Sequence, residues 1–103
     1  MKYLVTAKLN TLQPQSSEEW LKLLKAAREY QAAHLEDGTF ECSYLFVDGN
    51  RGFGVVNADS HDQLMDIIMA HPQNAFLDWE IIPACDTLAS YDKFIRSLEQ
   101  QIG

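Results

Sequence analysis

Proton-transfer chemistry takes a base to accept the proton and a cation or hydrogen-bond donor to hold the charge left behind. Three residues have the types and placement for that work: Glu80, Lys8 and His71. Glu80 alternates with Trp79 and Ile81, so it belongs to a strand with apolar neighbours, and burial beside apolar walls would raise its pKa towards that of a general base. Asp78 shares its face, nearer the strand's start. Lys8 lies on the face opposite Tyr3, Val5 and Ala7, where its ammonium could hold a carboxylate or an enolate. His71 stands directly before Pro72 at a helix end, a fitting place for a proton relay at a pocket mouth. Each has a plainer reading beside this one. Lys8 can snorkel from a strand end, Glu80 can pair with Lys8 or Arg51 at a rim, and His71 can simply sit where a helix dipole favours it.

The remaining reactive groups point to no cofactor. No two of His34, His61, His71, Cys42 and Cys85 have metal-ligand spacing, so no metal is expected. The glycine-rich stretch Gly49 to Gly54 leads from strand to strand, without the strand-to-helix context of a phosphate loop. Cys42 and Cys85 are too few for a disulfide framework and read as buried thiols.

These residues must be positioned by regular elements, and the chain is rich in signals for them. Tyr3 to Leu9 alternates with period two and predicts a first strand rather than a signal peptide. Ser16 or Ser17 can cap a helix whose apolar stripe runs from Trp20 through Leu24 and Ala27 to Leu35, ended by Gly38. Thr39 to Val47 predicts a second strand with Phe40, Cys42, Tyr44 and Phe46 on one face. The turn-forming run Asp48 to Gly52 joins it to a strand at Phe53 to Val56 as a hairpin. Asp59-Ser60 caps a second helix, His61 to Ala70, which Pro72 stops. Leu77 to Pro83 predicts a last strand at a sheet edge, because proline cannot donate to a ladder. Leu88 to Ile102 then forms an amphipathic helix behind a cap at Asp86-Thr87, with Tyr91, Phe94, Ile95 and Leu98 on one side.

Composition narrows the class. With 103 residues, 47% of them apolar, the chain reads as a single domain over residues 1–103. Its net charge of −7 argues against nucleic acid, which is held by clustered Lys and Arg. No run approaches the ~18–20 apolar residues of a membrane span, so a cytoplasmic, membrane-free protein is expected.

Strand, helix, strand, strand, helix, strand is the split βαβ order, an α+β ferredoxin-like fold: a four-stranded antiparallel sheet with both helices on one face, plus a C-terminal helix. The other face carries apolar and aromatic residues that should not stay in water. A second copy laid on it would give a dimeric α/β barrel, with a homodimer or larger homo-oligomer as the partner state.

The run Asp66-Ile67-Ile68-Met69-Ala70-His71-Pro72-Gln73-Asn74-Ala75-Phe76-Leu77-Asp78-Trp79-Glu80-Ile81 resembles, without a gap, the closing segment of the muconolactone Δ-isomerase family: Asp, two residues, Met and Pro before a short loop, then an aromatic residue, Asp and Glu around the last strand. Gly38-Thr39-Phe40 is similar to that family's Gly-Thr-aromatic start of the second strand, and Thr6, Lys8 and Leu9 resemble residues of its first. The resemblance covers residues 1–85 and implies the ferredoxin-like fold, a homo-oligomer and a reaction that moves a double bond in an anionic lactone. The chain departs from the pattern at Leu4, Glu41, Cys42 and Leu45, where the family is richer in Arg and His. The expectation is a cofactor-independent isomerase or related proton-transfer enzyme acting on a cyclic or aromatic-derived carbonyl compound. Glu80 would be its base, Lys8 its charge stabiliser and His71 its relay, with Thr6, Tyr44, Phe53 and Asp78 lining the small-molecule substrate. The alternatives are a cofactor-free monooxygenase and a non-catalytic ligand-binding or assembly protein on the same barrel.

Overall fold

The computed structural model describes residues 1–103. The alternating N-terminal run forms β1 (Lys2–Leu9). At the next element the Ser16 hydroxyl accepts the Glu19 N–H at 3.0 Å, while the Glu19 carboxylate accepts the Gln15 N–H at 2.9 Å. This reciprocal cap satisfies donors that a helix start leaves free and opens α1 (Ser17–Asp37). Gly38, at φ 83, ends it in the left-handed conformation. The hairpin is β2 (Phe40–Leu45) and β3 (Arg51–Asn57). A second cap, Ser60 accepting the Gln63 N–H at 3.1 Å, starts α2 (His61–Met69). A single 3-10 turn, Asn74–Phe76, leads into β4 (Leu77–Ala84), and Asp86 caps α3 (Thr87–Ile102).

The strands make one antiparallel sheet in the order β2-β3-β1-β4, the ferredoxin-like arrangement, with β4 at an edge as Pro83 predicts. Tyr3 and Val5 of β1, Phe40 of β2, Val56 of β3 and Leu64 and Ile68 of α2 form the buried core, with Tyr30, Ile67 and Trp79 packed on it. Each such side chain contributes ~1.5–3 kcal/mol through burial. Leu4, Thr6 and Lys8 therefore face away from the helices, as their alternation requires.

β2 corrects the sequence reading. Phe40 pairs with Val56, but Cys42 pairs with Val55, so one extra residue intervenes. This β-bulge reverses the alternation beyond it. Cys42 and Tyr44 leave the face of Phe40, while Ser43 and Leu45, opposite Gly54 and Gly52, take it. The bulged Glu41 pairs with Lys2 at 2.6 Å. β2 also stops at Leu45 rather than Val47, because Gly49, at φ 75, donates its N–H to the Phe46 carbonyl and the turn begins there. Cys85 is exposed and Cys42 half-buried, against the expectation of two buried thiols: Cys85 lies in the link between β4 and α3, outside the packed layers. No helix is long and apolar enough to cross a membrane.

Candidate functional site

The helix-side face of β3 is bare at Gly52 and Gly54. A Cβ on Gly52 would lie 2.8 Å from the Tyr44 carbonyl oxygen and 2.9 Å from the Leu45 side chain, and one on Gly54 would lie 3.0 Å from the Cys42 carbonyl. Glycine is needed for that close approach. It also leaves space between the sheet and α1, a cavity of about 80 Å³ whose apolar walls include Val5, Phe40, Val56, Ile67, Ile68 and Trp79. A few polar groups interrupt the walls. The Ser43 hydroxyl donates to the Gln31 side-chain oxygen at 2.7 Å, and the Tyr30 hydroxyl donates to the Ile67 carbonyl. An apolar pocket with a few fixed polar groups has the character of a small-molecule site. Across Gln31, Ser43 and Leu45 it adjoins a wider mouth bounded by Trp20, Leu24, Arg28, Leu35, Arg51 and His71.

His71 is the titratable side chain most changed by folding. Pro72 cannot extend α2, and the chain turns so that the Asn74 N–H bonds to the His71 carbonyl at 3.0 Å. The imidazole is buried against Tyr30, ring centres 4.9 Å apart, and Trp79, 5.6 Å apart. Trp79 is fixed in turn by its indole N–H donating to Asn74 at 2.8 Å. The His71 Nδ1 accepts the Gln73 backbone N–H at 3.0 Å, which leaves the ring proton on Nε2. Burial pushes the pKa of His71 down to about 4. The ring is thus a neutral, oriented donor at the edge of the cavity. Burial also pushes the Tyr30 phenol up to about 12, so it stays protonated.

The other candidates lie across the sheet. Thr6 pairs with both Phe53 and Glu80, Lys8 with Asp78, and Tyr44 with Phe53, which puts all six on the outer face. Lys8, Asp78 and Glu80 border one hollow there with Thr6, Phe46 and Arg51. The Arg51 guanidinium lies 5.3 Å from the Phe46 ring centre and bonds Asp48 at 2.9 Å. Two expectations need correction. Glu80 is exposed rather than walled by apolar groups, because the outer face of edge strand β4 is uncovered within one chain. His71 cannot relay protons to Glu80 inside one cavity, since the sheet stands between them.

Sequence reasoning passed over Tyr30, Gln31 and Ser43 as ligand-facing groups. Tyr30 and Gln31 did interrupt the apolar stripe of α1 with polar atoms, which was the available signal. Ser43 was hidden by the bulge. No three His, Cys, Asp or Glu side chains converge as a metal-binding group.

Comparison with known proteins bears on what such a cavity is for. The sequence profile of the family described as muconolactone delta-isomerase matches residues 1–89. The chain belongs to the muconolactone isomerase family. Its fold matches the crystal structure of a muconolactone isomerase with a TM-score of 0.76 at 17% identity, over 84% of this chain and 90% of that one. It also matches the 5-chloro-2-hydroxyhydroquinone dehydrochlorinase of Burkholderia phenoliruptrix AC1100, solved with 2,5-dihydroxybenzoquinone, with a TM-score of 0.62 at 13% identity, over 86% and 98%. At these identities the likeness to solved structures establishes the fold. No curated protein sequence matches the chain. Most of α3 lies beyond the part of the chain that the muconolactone isomerase family profile covers.

Proposed function

We propose that the protein is a cofactor-independent proton-transfer enzyme, an isomerase or close relative, whose substrate is a small cyclic or aromatic-derived carbonyl compound held between α1 and the sheet. Family membership supports the reaction class, and the fold it shares with the quinone-bound dehydrochlorinase supports the ligand class. The observation that carries the reading is the neutral His71 with its Nδ1 occupied by the Gln73 N–H.

In this reading the Nε2–H of His71 donates to the substrate carbonyl oxygen. A proton on the neighbouring carbon then leaves to water at the mouth, and the C–H electron pair becomes an enolate that Nε2–H stabilises without reorganisation. A proton returned to a different carbon completes the double-bond shift. A neutral imidazole suits this role, because its N–H is a very weak acid and the proton is shared with the enolate oxygen rather than lost to it. Gln31 and Ser43 would orient ring oxygens, and the apolar wall would hold the ring.

The grouping of Lys8, Asp78 and Glu80 around one hollow supports a second reading, in which Glu80 is the base and Lys8 the charge stabiliser under a second copy laid on the outer face, with Thr6, Tyr44 and Phe53 as substrate contacts. The test is turnover of an unsaturated lactone carboxylate and of a hydroxyquinol, with 2,5-dihydroxybenzoquinone as a binding probe. Loss of one oxyanion donor typically costs ~10²–10³ in kcat, so His71→Phe should lose that much while Glu80→Gln retains activity. The reverse pattern moves the site to the outer face. Thermal stabilisation by the quinone with no turnover of either substrate would leave a binding protein.

A further inference from the structure

Most polar side chains around the helix-side cavity are spent on one another. The Tyr30 hydroxyl proton goes to the Ile67 carbonyl, the Trp79 indole N–H to Asn74 and the Ser43 hydroxyl proton to the Gln31 amide oxygen at 2.7 Å. The single lone pair of the neutral His71 ring, on Nδ1, takes the Gln73 N–H. What remains is of one kind. The Gln31 amide nitrogen, held away from Ser43 by the bond to its oxygen, keeps its N–H groups, and His71 keeps Nε2–H. The hydroxyl oxygens of Tyr30 and Ser43 retain lone pairs, but the amide oxygen and the imidazole nitrogen are both engaged.

These spare donors are within reach of a ligand. His34 Nδ1 is the one buried side-chain polar atom without a partner, so neither the Gln31 amide nitrogen nor the His71 Nε2 is sealed in the packing. Gln31 lines both the inner cavity and its mouth, and His71 borders the mouth. Carboxylates are absent from both linings, and the charged residues at the mouth, Arg28 and Arg51, are donors too. Burial holds the Tyr30 phenol in its protonated form, so no phenolate arises there to take a ligand's proton. A polar group that leaves water without finding a partner loses more than a well-made hydrogen bond gains. The walls therefore discriminate by what a ligand's oxygens do with their protons.

We propose that the cavity selects the oxo form of a cyclic ligand over its hydroxyl form, with Gln31 as the specificity-determining residue and Ser43 as the residue that positions it. A lactone, ketone or quinone oxygen only accepts, and it meets the N–H groups of Gln31 and His71. A ring O–H must also place its proton, and the acceptors suited to it are already filled. The selection rests on this cavity being the binding site. It divides the ligands of that reading, favouring the unsaturated lactone and the quinone over the hydroxyquinol. It also bears on the reaction: an enolate oxygen is again an acceptor, whereas the O–H of an enol lacks a partner, so the same walls direct a returning proton to carbon. Without the Ser43 hydroxyl the amide is free to turn its oxygen towards the ligand, and the preference weakens.

Two uncharged planar rings of one size, each with a single exocyclic oxygen, test this: 4-pyranone, whose oxygens only accept, and phenol, which donates. Heteronuclear NMR titration of the full chain should shift the signals of Gln31 and Ser43 and give 4-pyranone a Kd about tenfold below that of phenol, the worth of one good hydrogen bond. Gln31→Glu, of the same size but with an acceptor in place of the donor, should reverse the order, and Ser43→Ala should narrow the gap. Phenol binding as tightly as 4-pyranone, with Gln31 and Ser43 still shifting, overturns the selection and leaves the cavity as the site. Shifts confined to Thr6, Lys8 and Glu80 on the outer face, or no shift with either ring, overturn the cavity reading and the selection with it. An order unchanged in both variants overturns Gln31 as its cause.

Discussion

The backbone N–H of Gln73 reaches the Nδ1 of His71 at 3.0 Å, so the residue two positions along decides which ring nitrogen carries the proton. Burial then opposes a second proton, and the pKa falls from 6.5 to about 4. Between these values the unfolded chain binds a proton that the folded chain does not, so stability rises with pH across the window and is lost as pH falls through it. The loss at the acid end should be about 3 kcal/mol. Urea unfolding at neutral pH and at about pH 4.5 should show most of it, and His71→Phe should flatten the slope.

Gly52 and Gly54 allow a ranked comparison. An alanine at Gly52 meets backbone and side chain at 2.8 and 2.9 Å, whereas one at Gly54 meets a carbonyl oxygen at 3.0 Å. Overpacking costs ~1–3 kcal/mol. Gly52→Ala should therefore lower Tm more than Gly54→Ala, and both should weaken binding of the quinone probe by intruding on the cavity floor. Equal Tm values for the two variants would contradict the geometry.

The Tyr30 hydroxyl supplies a donor to the Ile67 carbonyl, one of those that the end of α2 leaves without a helical partner. Tyr30→Phe should cost ~1–3 kcal/mol, the penalty for a carbonyl left unsatisfied away from water. Because the phenol's pKa is pushed up to about 12, the parent protein's stability should show no Tyr30 titration between neutral pH and about pH 10. A stability step in that range, absent from Tyr30→Phe, would sink the assignment.

Ser43→Ala removes the donor that fixes Gln31. The expected stability loss is ~0.5–1.5 kcal/mol, that of one ordinary hydrogen bond. Quinone affinity should fall, while Cys42→Ser, on the other face of the sheet, should leave affinity unchanged.

Where the backbone is regular, the chain disclosed its own arrangement. Alternation put Asp78 with Glu80 on one face of β4 and Lys8 opposite Tyr3, Val5 and Ala7 in β1, and serine caps, Gly38 and Pro72 marked the helix ends. Three things lay outside local pattern. The bulge at Glu41 adds a residue without changing the aromatic and β-branched character of β2, so the strand still reads as continuous alternation. The depth of His71 depends on Tyr30 and Trp79, which arrive from distant elements. Glu80 had apolar sequence neighbours, but burial within a strand is set by what covers its face, and an edge strand's outer face has no cover within this chain.

The bulge in β2 also has a chemical consequence. Adding one residue exchanges which of two adjacent side chains faces the cavity, and here it turns the Ser43 hydroxyl inward and the Cys42 thiol outward. Quinones and unsaturated lactones are electrophiles that alkylate thiols far more readily than hydroxyls. Strict alternation from Phe40 would put the sulfur on the pocket side, so a single-residue irregularity of the backbone keeps the Cys42 thiol away from covalent capture by an electrophile of the proposed ligand class.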